Sequence, residues 1–172
     1  IVRREIMRDS DGGECTIRLA AATDCDALAG LMSGQNGYHA ELVPHIIKRV
    51  DPATTKAWCA AQLADPTYTI FLAEGPDCRP LGALMLHIKI YPDTPVMHAV
   101  KLAFVDELFV VADARRLGIG KALIMAAREH AVAAGCEGLS LNVWGANKLA
   151  IDAYLSMGFE TVYQRMELAL TK

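Results

Sequence analysis

The stretch from Val105 to Leu123, VDELFVVADARRLGIGKAL, restricts the fold more than any other part of the chain. An apolar strand ends, a short loop carries two adjacent arginines, and Gly118-Ile119-Gly120 opens a long Ala-rich helix that runs to Ala134 and is closed by Gly135. A strand that feeds through a glycine turn into a helix needs a sheet for that helix to cover. The same stretch has the chemistry of an anion site. The first N–H groups of a helix have no internal partners, and the helix dipole favours negative charge there. Glycines allow close approach to the backbone, and Arg115 and Arg116 can add charge-assisted hydrogen bonds. A bare Gly-x-Gly also serves as a plain tight turn, so the motif alone leaves both readings open. Two familiar phosphate motifs fail. A P-loop needs Gly at 115 and Ser or Thr at 122, where Arg115 and Ala122 stand, and a dinucleotide fingerprint needs Gly at 123, where Leu123 stands.

The remaining segments fill in a layered domain. Thr16 to Leu19 is β-prone, and Thr23 or Asp24 can cap a helix with an apolar stripe at Ala27, Leu28, Leu31 and Met32. Gly34 to Gly37 is expected to break that helix. Asp51-Pro52 opens a second one, which runs to about Ala64. Tyr68 to Glu74 and Leu81 to Tyr91 read as strands around a turn rich in Gly and Pro, and Leu102 to Val111 as the next strand. After the long helix come a strand at Leu139 to Val143, a helix at Ala146 to Met157 and a final hairpin at Phe159 to Leu170. The order predicts an α/β (α+β) three-layer domain. Residues 1–14 are expected to be a flexible N-terminal tail, and residues 15–172 a single domain.

Composition narrows the function. A chain of 172 residues buries enough surface for a core without disulfides or metals. A net charge of −3 lacks the basic footprint of a nucleic-acid binder. The arginines at 3, 4 and 8 alternate with Glu5 and Asp9, as in a solvated tail. The five cysteines are widely spaced with no C-x-x-C, which argues against a disulfide framework and a zinc site; no metal is expected, and reduced thiols point to a cytoplasmic setting. No apolar run reaches the ~20 residues of a membrane span, and the N-terminus is too charged for a signal peptide.

Arg115-x-x-Gly118-x-Gly120 after an apolar strand resembles the acetyl-CoA-binding motif of the GCN5-related N-acetyltransferase (GNAT) superfamily. Leu141-Asn142-Val143-Trp144 with Asn147, Ala150, Tyr154 and Gly158-Phe159 resembles that family's next segment, and Ile17-Arg18-Leu19-Ala20 with Asp24 its opening. The similarity covers about residues 16–170. It implies a central, mostly antiparallel mixed sheet of about six or seven strands with helices on both faces. It also implies an N-acetyltransferase with acetyl-CoA as cosubstrate and a small-molecule or protein amine as acceptor, without nucleic acid or membrane, and able to form a homodimer. Carried onto this sequence, the amides of Arg116, Leu117, Gly118, Ile119, Gly120 and Lys121 would hold the pyrophosphate, with Arg115 or Arg116 adding charge. The backbone of Leu108, Phe109 and Val110 would pair with the pantetheine arm, and the Val110 N–H would polarise the thioester carbonyl. Asn147 would contact the arm, and Tyr154 would sit near the sulfur. One departure is Arg116, where the family often has Gly; a positive φ there would strain Arg.

Acyl transfer to an amine sets its own demands. A free alkyl amine has pKa ~10.4, so a general base must remove its proton. Asp106 and Glu107 are adjacent carboxylates in an apolar strand. Only one can face the substrate unless a bulge intervenes, and an unpaired buried charge is costly. At least one of them is a candidate base or amine ligand, with Glu107 slightly favoured; the bland alternative is a structural ion pair and a solvated carboxylate. Tyr154 can protonate the leaving thiolate or be a core aromatic. Tyr38, His39 and Glu41 are placed between the first two helices, as an amine pocket or a solvated loop. His87, His98 and His130 are read as structural, Trp144 as packing, and Ala122, Ala126 and Ala127 as close helix–sheet contact. Rival readings are an inactive acyl-CoA-binding sensor of the same fold and a phosphate-ligand enzyme of another class. Polyamine, amino acid, aminoglycoside-like drug and protein N-terminus all remain open as acceptors.

Overall fold

Residues 5–8, 14–168 and 170 are described by the structure, a computed structural model. The chain divides into two compact units, Ile1–Asn142 and Val143–Lys172. In the first unit the elements are β1 (Glu5–Arg8), β2 (Glu14–Leu19), α1 (Cys25–Leu42), α2 (Pro52–Ala64), β3 (Tyr68–Glu74), β4 (Pro80–Tyr91), β5 (Val100–Val110), α3 (Ile119–Ala133) and β6 (Gly138–Leu141). The strands form one six-stranded sheet in chain order, antiparallel throughout except for the parallel pair β5–β6.

Strand alternation assigns the helices to opposite faces. Ile70 and Leu72 of β3, with Ala83 and Met85 of β4, pack in one cluster with Leu28, Leu31 and Met32 of α1 and Cys59 of α2. The intervening β3 residues point the other way: Thr69 Oγ1 lies 3.2 Å from Nε2 of His130 on α3, and the Phe71 ring meets the same imidazole edge-on. Helices therefore cover both faces of a mixed, mostly antiparallel sheet, the three-layer arrangement expected. The small side chains Ala122 and Ala127 are buried on α3, as the alanine stripe predicts.

Two starts differ in kind. Pro52 opens α2, and the Asp51 carboxylate accepts the Thr54 N–H at 2.9 Å. Asp24, expected to cap α1, instead accepts the Ala21 N–H and two hydrogen bonds from the Arg18 guanidinium, which also binds Glu74. Those contacts hold the Asp24 carboxyl below its ordinary range and tie β2, β3 and the start of α1 together.

Four expectations are corrected. First, α1 does not break at Gly34–Gly37 but continues unbroken to Leu42. A Cβ on Gly34 would stand 3.1 Å from the Phe109 ring, so this glycine lets α1 lie close on β5. That packing offsets the roughly 1 kcal/mol that glycine costs inside a helix. Second, Tyr38, His39 and Glu41 consequently lie within α1, not between two helices. Third, Glu5–Arg8 of the expected tail is a strand paired with Glu14–Ile17; residues 1–4 and 9–13 lie outside the described residues. Fourth, in the second unit α4 (Lys148–Ser156) forms as expected, but residues 159–168 form no strand with any described residue. Alternation of apolar residues gives a segment two faces; it does not supply the partner that strand hydrogen bonds need. Among the described residues no helix is long and apolar enough to cross a membrane.

Candidate active site

The site begins with a fault in the β4–β5 ladder. Met85 pairs with Glu107 and Leu86 with Val105, so Asp106 is an extra residue on β5. The bulge undoes the alternation that would send neighbouring carboxylates to opposite faces. Glu107 pairs with Met85 and so lies on the α1/α2 face. Asp106 reaches His87, which lies on that same face two residues beyond Met85: His87 Nδ1 is 2.5 Å from Asp106 Oδ2. The imidazole sits between Tyr68 and Phe104, with ring centroids 5.5 and 5.7 Å away, and the Lys89 ammonium lies 3.4 Å over the Phe104 ring.

The two carboxylates have different surroundings. The Asp106 side chain is partly exposed and paired with His87. Glu107 is largely buried and receives one hydrogen bond, from Gln35 Nε2 to its Oε2 at 2.6 Å. Burial, then the Asp106 charge, push the Glu107 carboxyl up to about 7, and the Gln35 hydrogen bond partly opposes them. A carboxyl tuned to that range can act as a base at neutral pH. Cys59 beneath it is fully buried, and its thiol is pushed up to about 11, chiefly by burial, which leaves it inert as a nucleophile.

Beyond Glu107, no strand among the described residues pairs with the second edge of β5. Strand β6 pairs only with Leu102–Val105. Val111 N–H donates to the Leu81 carbonyl at 2.9 Å, which makes Gly82–Val110 a pair without mutual hydrogen bonds. The N–H groups of Val110 and, two residues earlier, Leu108 therefore point away from β4, while those of Phe109 and Glu107 point toward it. Of the three residues expected to offer backbone to an extended ligand, Leu108 and Val110 have free-edge orientation and Phe109 does not. The Phe109 side chain instead packs on the core against α1.

After β5 the chain turns through Ala112–Ala114, and Arg116 and Gly118 both take left-handed backbone, with φ of +65° and +83°. Gly118 caps α3, whose first internal hydrogen bond runs from Ala122 N–H to the Gly118 carbonyl at 3.0 Å; no side chain caps the end. The amides of Ile119, Gly120 and Lys121 thus start the helix without helical partners, and Arg116, Leu117 and Lys121 beside them are exposed. Arg116 bears the strain foreseen for a side chain at this position. Arg115 is committed differently: its Nε–H donates to the Val110 carbonyl at 3.1 Å, and its guanidinium lies over the Tyr38 and Phe109 rings. Uncapped amides, an exposed cation and a free strand edge in sequence fit a diphosphate joined to an extended amide-bearing arm.

The other expected residues are distributed as follows. Tyr38 is drawn to Arg115 through α1. His39 is half-buried on α1, and burial lowers its pKa. Glu41 pairs with Arg49 at 2.6 Å in solvent. In the second unit, the Asn147 side-chain oxygen accepts the Ala150 N–H at 3.2 Å as the cap of α4, and Tyr154 on α4 packs edge-on against Phe159. Sequence reasoning missed Gln35 and His87. Gln35 follows Leu28, Leu31 and Met32 at helical spacing and is as buried as they are, a legible signal once the helix is allowed past Gly34. His87 had none, because its pairing with Asp106 depends on strand register and the bulge.

Comparison with known proteins agrees with this geometry. Residues 36–159 match the family model "Acetyltransferase (GNAT) family". The chain is 33% identical over 95 residues to "Aminoglycoside N(6')-acetyltransferase type 1" of Klebsiella aerogenes and 31% identical over 150 residues to "Mycothiol acetyltransferase" of Saccharomonospora viridis, covering 55% and 85% of this chain. It spans 61% and 45% of the lengths of those two relatives. Among solved structures, a tetramutant of the BH1408 protein from Bacillus halodurans superposes with a TM-score of 0.85 at 23% identity, covering 90% of this chain and 99% of that one. The aminoglycoside N-acetyltransferase AAC(6')-Iy in complex with CoA superposes with a TM-score of 0.71 at 19% identity, covering 92% and 95%; both likenesses speak for the fold. Acetyl-CoA is the cosubstrate of the matched family. With its bulged β5 strand, glycine-capped helix and a family match across most of its length, this chain belongs to the Acetyltransferase (GNAT) family.

Proposed function

We propose that this chain transfers an acetyl group from acetyl-CoA to a primary amine by direct attack in a ternary complex, with Glu107 as the general base. The observation that carries the reading is Glu107 itself. It is a largely buried carboxyl tuned to about 7, directly followed by a strand edge whose Leu108 and Val110 amides face outward. The thioester supplies an activated carbonyl. Glu107 takes the proton of the attacking amine as the C–N bond forms, either directly or through water. The Val110 N–H faces the developing oxyanion, which a preorganised donor stabilises most in a site of low dielectric. Tyr154 gives its proton to the sulfur as the C–S bond breaks, a role its hydroxyl chemistry supports. The amides of residues 116–121 hold the pyrophosphate, helped by Arg116 and Lys121.

Asp106 serves the amine without being the base. It is paired with His87 and lends negative charge to the face that receives a cation. Such a face favours small polycationic amines over amino acids. Aminoglycosides head the panel to be tried, because the Klebsiella relative is named for them and the acidic face suits them. The test is release of free thiol from acetyl-CoA with purified protein and a panel of aminoglycosides, polyamines, amino acids and peptides. Turnover with a polycationic amine, lost in Glu107→Gln, is the expected result. Tight acetyl-CoA binding without turnover on any amine would overturn the proposal.

A further inference from the structure

Gln35 is the least expected residue on the α1/β5 face. It continues the apolar stripe of α1 and is 6% exposed. A polar side chain there costs stability unless it is fully bonded. It is not: the amide N–H reaches Glu107, while its Oε1 is buried with no partner among the described residues. An apolar residue of the same length would fill the space without that penalty. The arrangement also depends on Gly34, the neighbouring position, which brings α1 onto Phe109. A half-satisfied amide has thus been delivered to one carboxylate oxygen.

We propose that Gln35 is a positioning residue for the reaction: its amide grips Oε2 of Glu107, fixes the plane of the carboxylate and leaves Oε1 to accept the proton of the incoming amine. This rests on the reading of Glu107 as the base. The N–H bond favours the ionised carboxylate, so it also resists the burial and the Asp106 charge that favour the neutral acid. The titratable groups that act on or feel Glu107 are Asp106 beside it on β5, Tyr68 on β3 and Cys59 on α2; on β4, His87 pairs with Asp106 and Lys89 lies over the Phe104 ring, and His39 is further along α1. Burial raises the Tyr68 hydroxyl and the Cys59 thiol, which keeps both neutral across the working range.

The test is the pH profile of kcat/KM for acetyl transfer to the best amine of the panel, in wild type, Gln35→Met, Glu107→Gln and the double variant. His87→Gln and His39→Gln profiles identify any limb that belongs to an imidazole. Methionine keeps the length and removes the donor. In Gln35→Met the acidic limb should move up by about one pH unit, with roughly tenfold loss below the limb and recovery of most of the rate well above it. Thermal stability should hold or rise. In a Glu107→Gln background the same change should cost no further rate, since coupled residues are not additive. An unmoved limb with an equal loss at every pH, or a loss that adds in full to that of Glu107→Gln, overturns the positioning role. Failure of the base reading looks different: wild type would show no limb that Glu107→Gln abolishes, whatever Gln35→Met does.

Discussion

In the proposed reaction, the two ends of the β5–α3 connection would work by opposite means. At the β5 end, chemistry rests on side chains: a carboxyl buried beside a second carboxyl and held by one amide from another helix. At the α3 end it rests on backbone: unpartnered amides presented by two left-handed residues, Arg116 and Gly118. Each end is therefore vulnerable to a different kind of change. Changing one side chain should disable the first, because its tuning comes from a low-dielectric surrounding that no neighbour replaces. The second should tolerate side-chain changes and respond to anything that alters φ.

The largest expected effect is at Glu107. Glu107→Gln should lower kcat/KM by about 10²–10⁴-fold. It should also stabilise the protein. The folded carboxyl is raised from 4.5 to about 7, so the native state holds a proton that the unfolded chain has lost. Stability from this group is present below pH 4.5 and is lost as pH rises through 7. Melting curves should therefore place Glu107→Gln above wild type at pH 8, by on the order of 3 kcal/mol at most, and near it at pH 4.5. Equal melting at both pH values would break the side-chain half of the comparison.

Asp106→Asn should act next, and in the opposite direction to Gln35→Met. Removing a like charge lets Glu107 ionise more easily, so the acidic limb should move down while the maximal rate changes about tenfold or less. At the backbone end, Gly118→Ala forces a side chain to φ +83°. It should cost roughly 1–2 kcal/mol in denaturant unfolding and raise the KM for acetyl-CoA several-fold, with kcat little changed. Smallest of all, Arg116→Gly should raise stability by about 1 kcal/mol through relief of strain, offset in affinity by the lost cation; calorimetric titration with CoA would show no more than a few-fold weakening. A hundredfold loss would mean that the side chain, and not the backbone, does the gripping.

The same division explains what could be read in advance. The α3 end was legible because a helix start written in glycine needs no partner from elsewhere in the chain. The fold class followed from strand and helix periods, and the Asp51-Pro52 start of α2 was local chemistry. The β5 end was only half legible. That two carboxylates stood in an apolar strand was plain, but whether both could serve one face depended on a bulge set against β4, a pairing about twenty residues away in the chain. Gln35 was hidden by treating Gly34 as a helix breaker, when its lack of a Cβ answers to Phe109 of β5 packed directly against α1. His87 became meaningful only through that register. Among the described residues the hairpin expected at Phe159 to Leu170 does not form, for a related reason: a strand's partner is not written in the strand.

Carbon-13 NMR titration of the Glu107 carboxyl, assigned by its absence in Glu107→Gln, tests its role as base most directly when overlaid on the kcat/KM profile. The expected result is a glutamate resonance with a midpoint near 7 that coincides with the acidic limb of the rate. A Glu107 that titrates in the ordinary carboxylate range, or whose midpoint has no counterpart in the rate, would contradict it.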